Sequence, residues 1–171
     1  MPSNSELFLT IYSLGNQNYL LDRFFIFGAN ELIFITFFIS LVLILLGGLK
    51  ERKAFLFLLI GLLIAEILIK ITHIFYFEPR PYVTLNLVPL IKHVPDAAFP
   101  SEHTTMAAAV AFASFFAKSK YALLFIILML WVGFSRIFVG VHYPLDILGG
   151  ILYGFISIFI SSKILNKFLD I

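Results

Sequence analysis

Three stretches of this sequence hold side chains that could do chemistry together. The first is Phe99-Pro100-Ser101-Glu102-His103-Thr104-Thr105. A Pro-Ser pair opening a helix leaves backbone N–H groups, that of Glu102 among them, without intrahelical partners, and the positive end of the helix dipole makes such a point a cradle for phosphate. The plainer reading is an N-cap, with Ser101 capping and Glu102 complementing the dipole. His103 favours the first reading, because a histidine beside an anion cradle is well placed to protonate a leaving oxygen. The second stretch is Ser135-Arg136-Ile137-Phe138-Val139-Gly140-Val141-His142-Tyr143-Pro144-Leu145-Asp146. Arg136 offers a planar fork for two phosphate oxygens, and His142 stands four residues before Asp146, within reach if a helix begins near Pro144. A carboxylate on one ring nitrogen fixes the tautomer and frees the other nitrogen to attack, which makes His142 a candidate nucleophile and Asp146 its orienting group. The bland alternative has Asp146 capping a helix and His142 at the membrane interface. In the third stretch, Glu78-Pro79-Arg80-Pro81-Tyr82, two prolines stiffen the backbone around Arg80 and lower the entropy lost in aiming it at an anion. Upstream, Lys70 either reaches that anion or forms an ion pair with Glu66, four residues before it.

The elements that must position these residues are membrane helices. The chain has 171 residues, 61% of them hydrophobic and 13% charged, with mean hydropathy +1.02, well outside soluble-protein usage. Windows able to cross about 30 Å of hydrocarbon fall at about 31–49, 54–77, 103–117, 121–140 and 145–165. Residues 6–28 are apolar but interrupted by Gly15-Asn16-Gln17-Asn18 and Asp22-Arg23, and read as two short interfacial helices. The expected architecture is therefore an all-α, single-domain membrane protein of about five transmembrane helices. Seven Lys and Arg residues (Lys50, Arg52, Lys53, Lys118, Lys120, Lys163, Lys167) fall on one side and five on the other, assigning the first side to the cytoplasm. Loop 78–102 and turn 140–144 then emerge together on the outer face, with most of the remaining polar residues. Ionisable groups are costly that close to lipid, so two His, two Arg and an Asp converging there favour a site.

Composition also excludes. With no Cys there is no disulfide, Cys-ligated zinc, iron–sulfur cluster or thiol nucleophile. A net charge of +2 with dispersed basic residues argues against nucleic acid as a partner. No HExxH-type spacing supports a metal site, and two Arg would share its space. His93, between Lys92 and Val94, reads as a solvated loop residue. The Met-Pro-Ser-Asn-Ser-Glu start lacks a basic n-region, so no cleavable signal peptide is expected. Gly149, Gly150 and Gly154 give the last span a small face for close helix packing.

Taken in order, the three stretches resemble the type 2 phosphatidic-acid phosphatase superfamily, whose motifs run Lys then Arg-Pro, Pro-Ser-x-His, and Ser-Arg-x-x-x-Gly-x-His-x-x-x-Asp. The second and third match fully, and the resemblance covers about residues 65–165. It implies a helical bundle with its site at the outer surface and a phosphoenzyme mechanism that uses neither metal nor cofactor. Carried onto this chain, it makes His142 the nucleophile, Asp146 its orienting group and His103 the acid for the leaving group. Arg80, Ser101, Arg136 and Lys70 would be the phosphate ligands. Two departures stand out: nine residues separate Lys70 from Arg80, with His73 nearer the expected place, and Glu102 replaces the common Gly of the second motif.

The stretch from Tyr76 to Tyr82 with His93, Asp96 and residues 99–104 looks most like the bacterial undecaprenyl-diphosphatase branch. Members acting on lipid A 1-phosphate or phosphatidylglycerol phosphate are similar too. The implied substrate is a lipid phosphate or diphosphate of the bacterial inner membrane, with the site facing the periplasm or outer face. A non-catalytic lipid-phosphate binder or transporter is the alternative from another class, although no span is interrupted by an internal Pro. A vanadate-dependent haloperoxidase is disfavoured, since those relatives are soluble.

Overall fold

The computed structural model describes residues 3–169, and their regular structure is helical throughout. In chain order the helices are α1 (Asn4–Tyr12), α2 (Tyr19–Asn30), α3 (Leu32–Leu46), α4 (Leu49–Phe75), α5 (Pro81–Thr84), α6 (Glu102–Phe116), α7 (Ala122–Phe138) and α8 (Pro144–Leu169). Their boundaries follow local chemistry. Ser3 and Glu6 close a reciprocal capping box on α1, and the Asn18 carboxamide oxygen accepts from the N–H groups of Leu20 and Leu21 to start α2. Pro81 and Pro144 occupy first helical positions, where the missing N–H costs nothing.

Ala-rich α6 lies at the centre, packed against α4, α7 and α8. Ala107, Ala108, Ala109, Ala111 and Ala113 are all buried, and their small side chains let neighbouring backbones approach closely. Across the α6–α8 contact, a Cβ added at Gly150 would lie 2.8 Å from the Ser101 carbonyl oxygen, and one at Gly154 would lie 2.5 Å from Ala108 Cβ. The glycines therefore set the separation at which α8 holds the start of α6. On the opposite side of α4, Leu63, Ile67, Ile71 and Ile74 are exposed at three- to four-residue spacing, a continuous apolar stripe of the kind that faces lipid.

Two helices, α4 and α8, are individually long and apolar enough to cross a bilayer, and α2 with α3 supplies a third crossing if the pair is one span bent by 55°. The bend sits at Glu31, which ends α2 and begins α3 without a side-chain cap. At 15 and 17 residues, α6 and α7 are shorter. The first turn of α6, Glu102-His103-Thr104-Thr105, belongs to the polar end of the bundle, and α6 is sheathed by protein rather than matched to lipid along its length. The chain is a multi-pass, all-helical membrane protein. Helices α1 and α2 pack on α7, which ties the N-terminal segment to the end where the polar loops gather.

Candidate active site

The polar loops converge because short non-local contacts pin them. Pro79 and Ala97 form an isolated antiparallel bridge, and Ala98 N donates to Glu78 O at 2.8 Å. Leu90 N donates to Val139 O at 2.9 Å, and Ser101 N to Asp146 O at 3.1 Å. Gly140 turns the chain with φ +90°, a conformation that favours glycine, and a Cβ there would press on Tyr12 at 2.9 Å. Thus the ends of α4, α6, α7 and α8 share one cluster.

At its centre, His142 is 1% exposed and Asp146 0%. Asp146 Oδ2 accepts from Tyr143 N at 2.8 Å and lies 3.4 Å from His142 Nδ1. The Arg80 Nη1 group stands 2.8 Å from His142 Nε2 and donates to Val141 O at 3.0 Å. A guanidinium can only donate, so Nε2 must be the acceptor and Nδ1 carries the proton toward Asp146. That is the tautomer an imidazole nucleophile needs. Burial first, then the charges of Arg136 and Arg80, hold His142 well below the usual histidine range, in its neutral form.

Arg80, 5% exposed, follows from its position at the N-cap of α5 between Pro79 and Pro81. Its Nε donates to Asp96 Oδ1 in an ion pair, and Nη2 donates to Ala97 O at 3.3 Å. Arg136 is 2% exposed. Its Nη1 donates to Ala29 O at 3.2 Å and its Nη2 to His93 Nε2 at 3.0 Å, while the buried Nε has no hydrogen-bond partner among the described residues. A buried guanidinium N–H left open in this way is costly unless an anion meets it. The Asp146 Oδ1 atom likewise has no partner among the described residues.

Ser101 is fully buried at the N-cap of α6, yet its side chain makes no capping bond. The hydroxyl oxygen instead accepts from Thr104 Oγ1 at 3.0 Å, leaving the Ser101 proton free to donate. The plain N-cap reading of this serine is therefore not what the structure shows. His103, in the first turn, is within electrostatic reach of Arg136, His93 and Arg80. The backbone N–H of Glu102 opens the same turn, while its side chain is exposed and lines a cavity of about 190 Å³ between α4 and α6, with Glu66, Ile69 and Thr105.

Lys70 stands apart from this cluster. Its Nζ pairs with Glu66 Oε1 at 3.1 Å and its side chain is 71% exposed, matching the ion-pair reading of that residue. His73 Nε2 lies 3.1 Å from Phe99 O, bracing the loop before Pro100-Ser101. Two residues that the sequence offered only as part of a family resemblance and of the outer polar loop take part directly. His93 is half-buried on Arg136 rather than solvated, and Asp96 holds Arg80. The resemblance marked both positions but not their partners, since the contacts depend on the 79–97 bridge.

A family model described as the PAP2 superfamily matches residues 54–170, which include every residue of this cluster except Ala29. The chain belongs to the PAP2 superfamily. Within it, the chain is 37% identical to the undecaprenyl-diphosphatase BcrC of Bacillus subtilis, over 98% of this chain and 89% of that one. It is 35% identical to a protein of Bacillus licheniformis named bacitracin transport permease protein BcrC, over 90% of this chain and 76% of the other. Among solved structures, Aquifex aeolicus LpxE superposes with a TM-score of 0.80 at 27% identity, covering 95% of this chain and 96% of that one. The residues whose ring nitrogens, guanidiniums and helix terminus meet here lie within the matched segment.

Proposed function

We propose that this PAP2 protein hydrolyses the terminal phosphate of an envelope lipid, with undecaprenyl diphosphate the favoured substrate, through a phosphohistidine on His142. The observation carrying this reading is the forced tautomer of His142: a lone pair on Nε2, a proton on Nδ1 toward Asp146, and two buried guanidiniums beside it. In the reaction, Nε2 attacks phosphorus and the bond to the leaving oxygen breaks as His103 delivers its proton to that oxygen. Water, deprotonated by His103, then attacks the phosphorus, and the N–P bond breaks to return His142 and release phosphate. Arg80 Nη1 must exchange His142 Nε2 for a phosphate oxygen as the substrate enters. One guanidinium thus unmasks the nucleophile and neutralises the group it attacks. Arg136 Nε, the Ser101 hydroxyl and the first N–H groups of α6 supply the remaining donors to the equatorial oxygens.

Likeness to an undecaprenyl-diphosphatase supports the isoprenoid diphosphate, with lipid A 1-phosphate and phosphatidylglycerol phosphate as the alternatives. The charge bias of the loops supports a bacterial inner-membrane location with the site on the periplasmic or outer face. The test is phosphate release by detergent-purified protein from the three lipids in parallel, with EDTA present. Release, greatest from undecaprenyl diphosphate and unaffected by EDTA, is expected. Preference for lipid A reassigns the substrate, loss of activity in EDTA removes metal independence, and binding without release from any lipid returns the non-catalytic binder or transporter.

A further inference from the structure

We propose that His93 is a positioning residue of the phosphate site, whose neutral imidazole holds the Arg136 guanidinium in the orientation that leaves Nε open to the substrate. This inference rests on the phosphatase reading above. Arg136 is fixed at two of its three nitrogens by different parts of the fold. The Ala29 carbonyl at the end of α2 takes Nη1 at 3.2 Å, and His93 Nε2 takes Nη2 at 3.0 Å. With both terminal nitrogens held, the plane of the fork is set and the buried Nε is the donor that remains. Removing the imidazole would leave the guanidinium one anchor and a free axis of rotation. An arginine that must be aimed at developing charge loses most of its value when misaimed.

The tautomer follows from hydrogen-bond sense. Because the guanidinium donates, Nε2 of His93 accepts, and Nδ1–H donates to Val94 O at 2.9 Å, with Asp96 Oδ1 at 3.9 Å. The loop carrying the imidazole is itself braced. The Tyr82 hydroxyl donates to His93 O at 3.4 Å, Tyr12 donates to Val88 O at 2.6 Å, and Leu90 N donates to Val139 O at 2.9 Å. Protonating His93 would replace the accepting lone pair with an N–H facing another N–H, and set a cation against Arg136. The charged and titratable groups around it are Arg136 on α7, Arg80 before α5, Tyr82 on α5, His103 on α6, His142 after α7, and Lys92 and Asp96 on its own loop. Burial first, with Arg80 and Arg136 also acting, pushes His93 below the ordinary histidine value, against the opposing Val94 carbonyl and Asp96. The imidazole is therefore in its holding form at neutral pH.

Glutamine can accept through its amide oxygen and does not titrate, so it separates the acceptor from the proton. We expect His93→Ala to lower kcat/KM about tenfold or more, and His93→Gln to recover to within about threefold of wild type. The acid limb of log kcat/KM against pH should be shallower by about one proton in His93→Gln, with that of His142 remaining. In an Arg136→Lys background, His93→Ala should cost less than about twofold, since the anchor acts through the arginine it holds. Should His93→Ala not fold, His93→Leu, similar in bulk and without an acceptor, takes its place. Full activity in His93→Ala, a Gln variant no better than Ala, an unchanged acid limb, or an equal loss in the Arg136→Lys background would each overturn the assignment. Wild-type protein that releases no phosphate from any lipid instead overturns the phosphatase reading, and this inference with it.

Discussion

Individual residues divide by whether their partner lies nearby in sequence. The His142–Asp146 pair was legible because both stand on one short turn into a helix, and four residues of spacing nearly dictate their meeting. The Glu66–Lys70 pair was legible as one of two readings for the same reason. Nothing local could announce that His93 meets Arg136 or that Asp96 meets Arg80, because those distances depend on a bridge across the 79–97 loop. Two substitutions test the division. Asp146→Asn keeps an acceptor for Tyr143 N but removes the charge behind the imidazole, and should lower kcat by about 10²- to 10⁴-fold. Near-wild-type turnover in that variant would show that Asp146 does not orient the nucleophile. Lys70→Ala should change kcat/KM less than about threefold, since its ammonium pairs with Glu66 outside the cluster, whereas Arg80→Ala should abolish most turnover. A loss for Lys70→Ala comparable to that for Arg80→Ala would bring the lysine into the site.

At the scale of elements, each of the five apolar windows overlaps a helix, although among the described residues only α4 and α8 are individually long and apolar enough to cross a bilayer. Hydropathy did not foresee the 55° meeting of α2 and α3 at Glu31, where no proline or glycine run stands and both helices pack on α7. Nor could it show that α6 is the enclosed helix, although its alanines and the glycines of α8 hinted at close approach. That contact predicts two different outcomes. Gly154→Val should destabilise by roughly 1–3 kcal/mol through overpacking against Ala108 and the Thr105 carbonyl, read as a lower melting temperature in detergent. Gly150→Ala presses on the Ser101 carbonyl, and should cost proportionally more activity than stability, because it displaces the cradle itself. Equal, small effects for both would mean that the α6–α8 separation is not what sets the site.

For the whole molecule, buried neutral histidines tie stability to pH. His142 and His93 are both held below the ordinary value of 6.5, so on acidification the unfolded chain takes up protons that the folded chain refuses. Their contribution is fully present above that value and declines as pH falls toward the folded-state values. The melting temperature in detergent should therefore decline as pH is lowered from 8 to about 5.5, and decline less steeply in His93→Gln. Equal slopes in wild type and His93→Gln would show that the fold does not hold the His93 imidazole neutral.

In the proposed reaction phosphate passes through His142. The most direct measurement is rapid acid-free quenching of turnover on undecaprenyl diphosphate labelled in the terminal phosphate, followed by mapping of the protein-bound label. An acid-labile, base-stable label is expected on the peptide containing His142, absent from a folded His142→Ala variant that releases no phosphate. Substantial turnover in His142→Ala, or label on another residue, would contradict the proposed reaction.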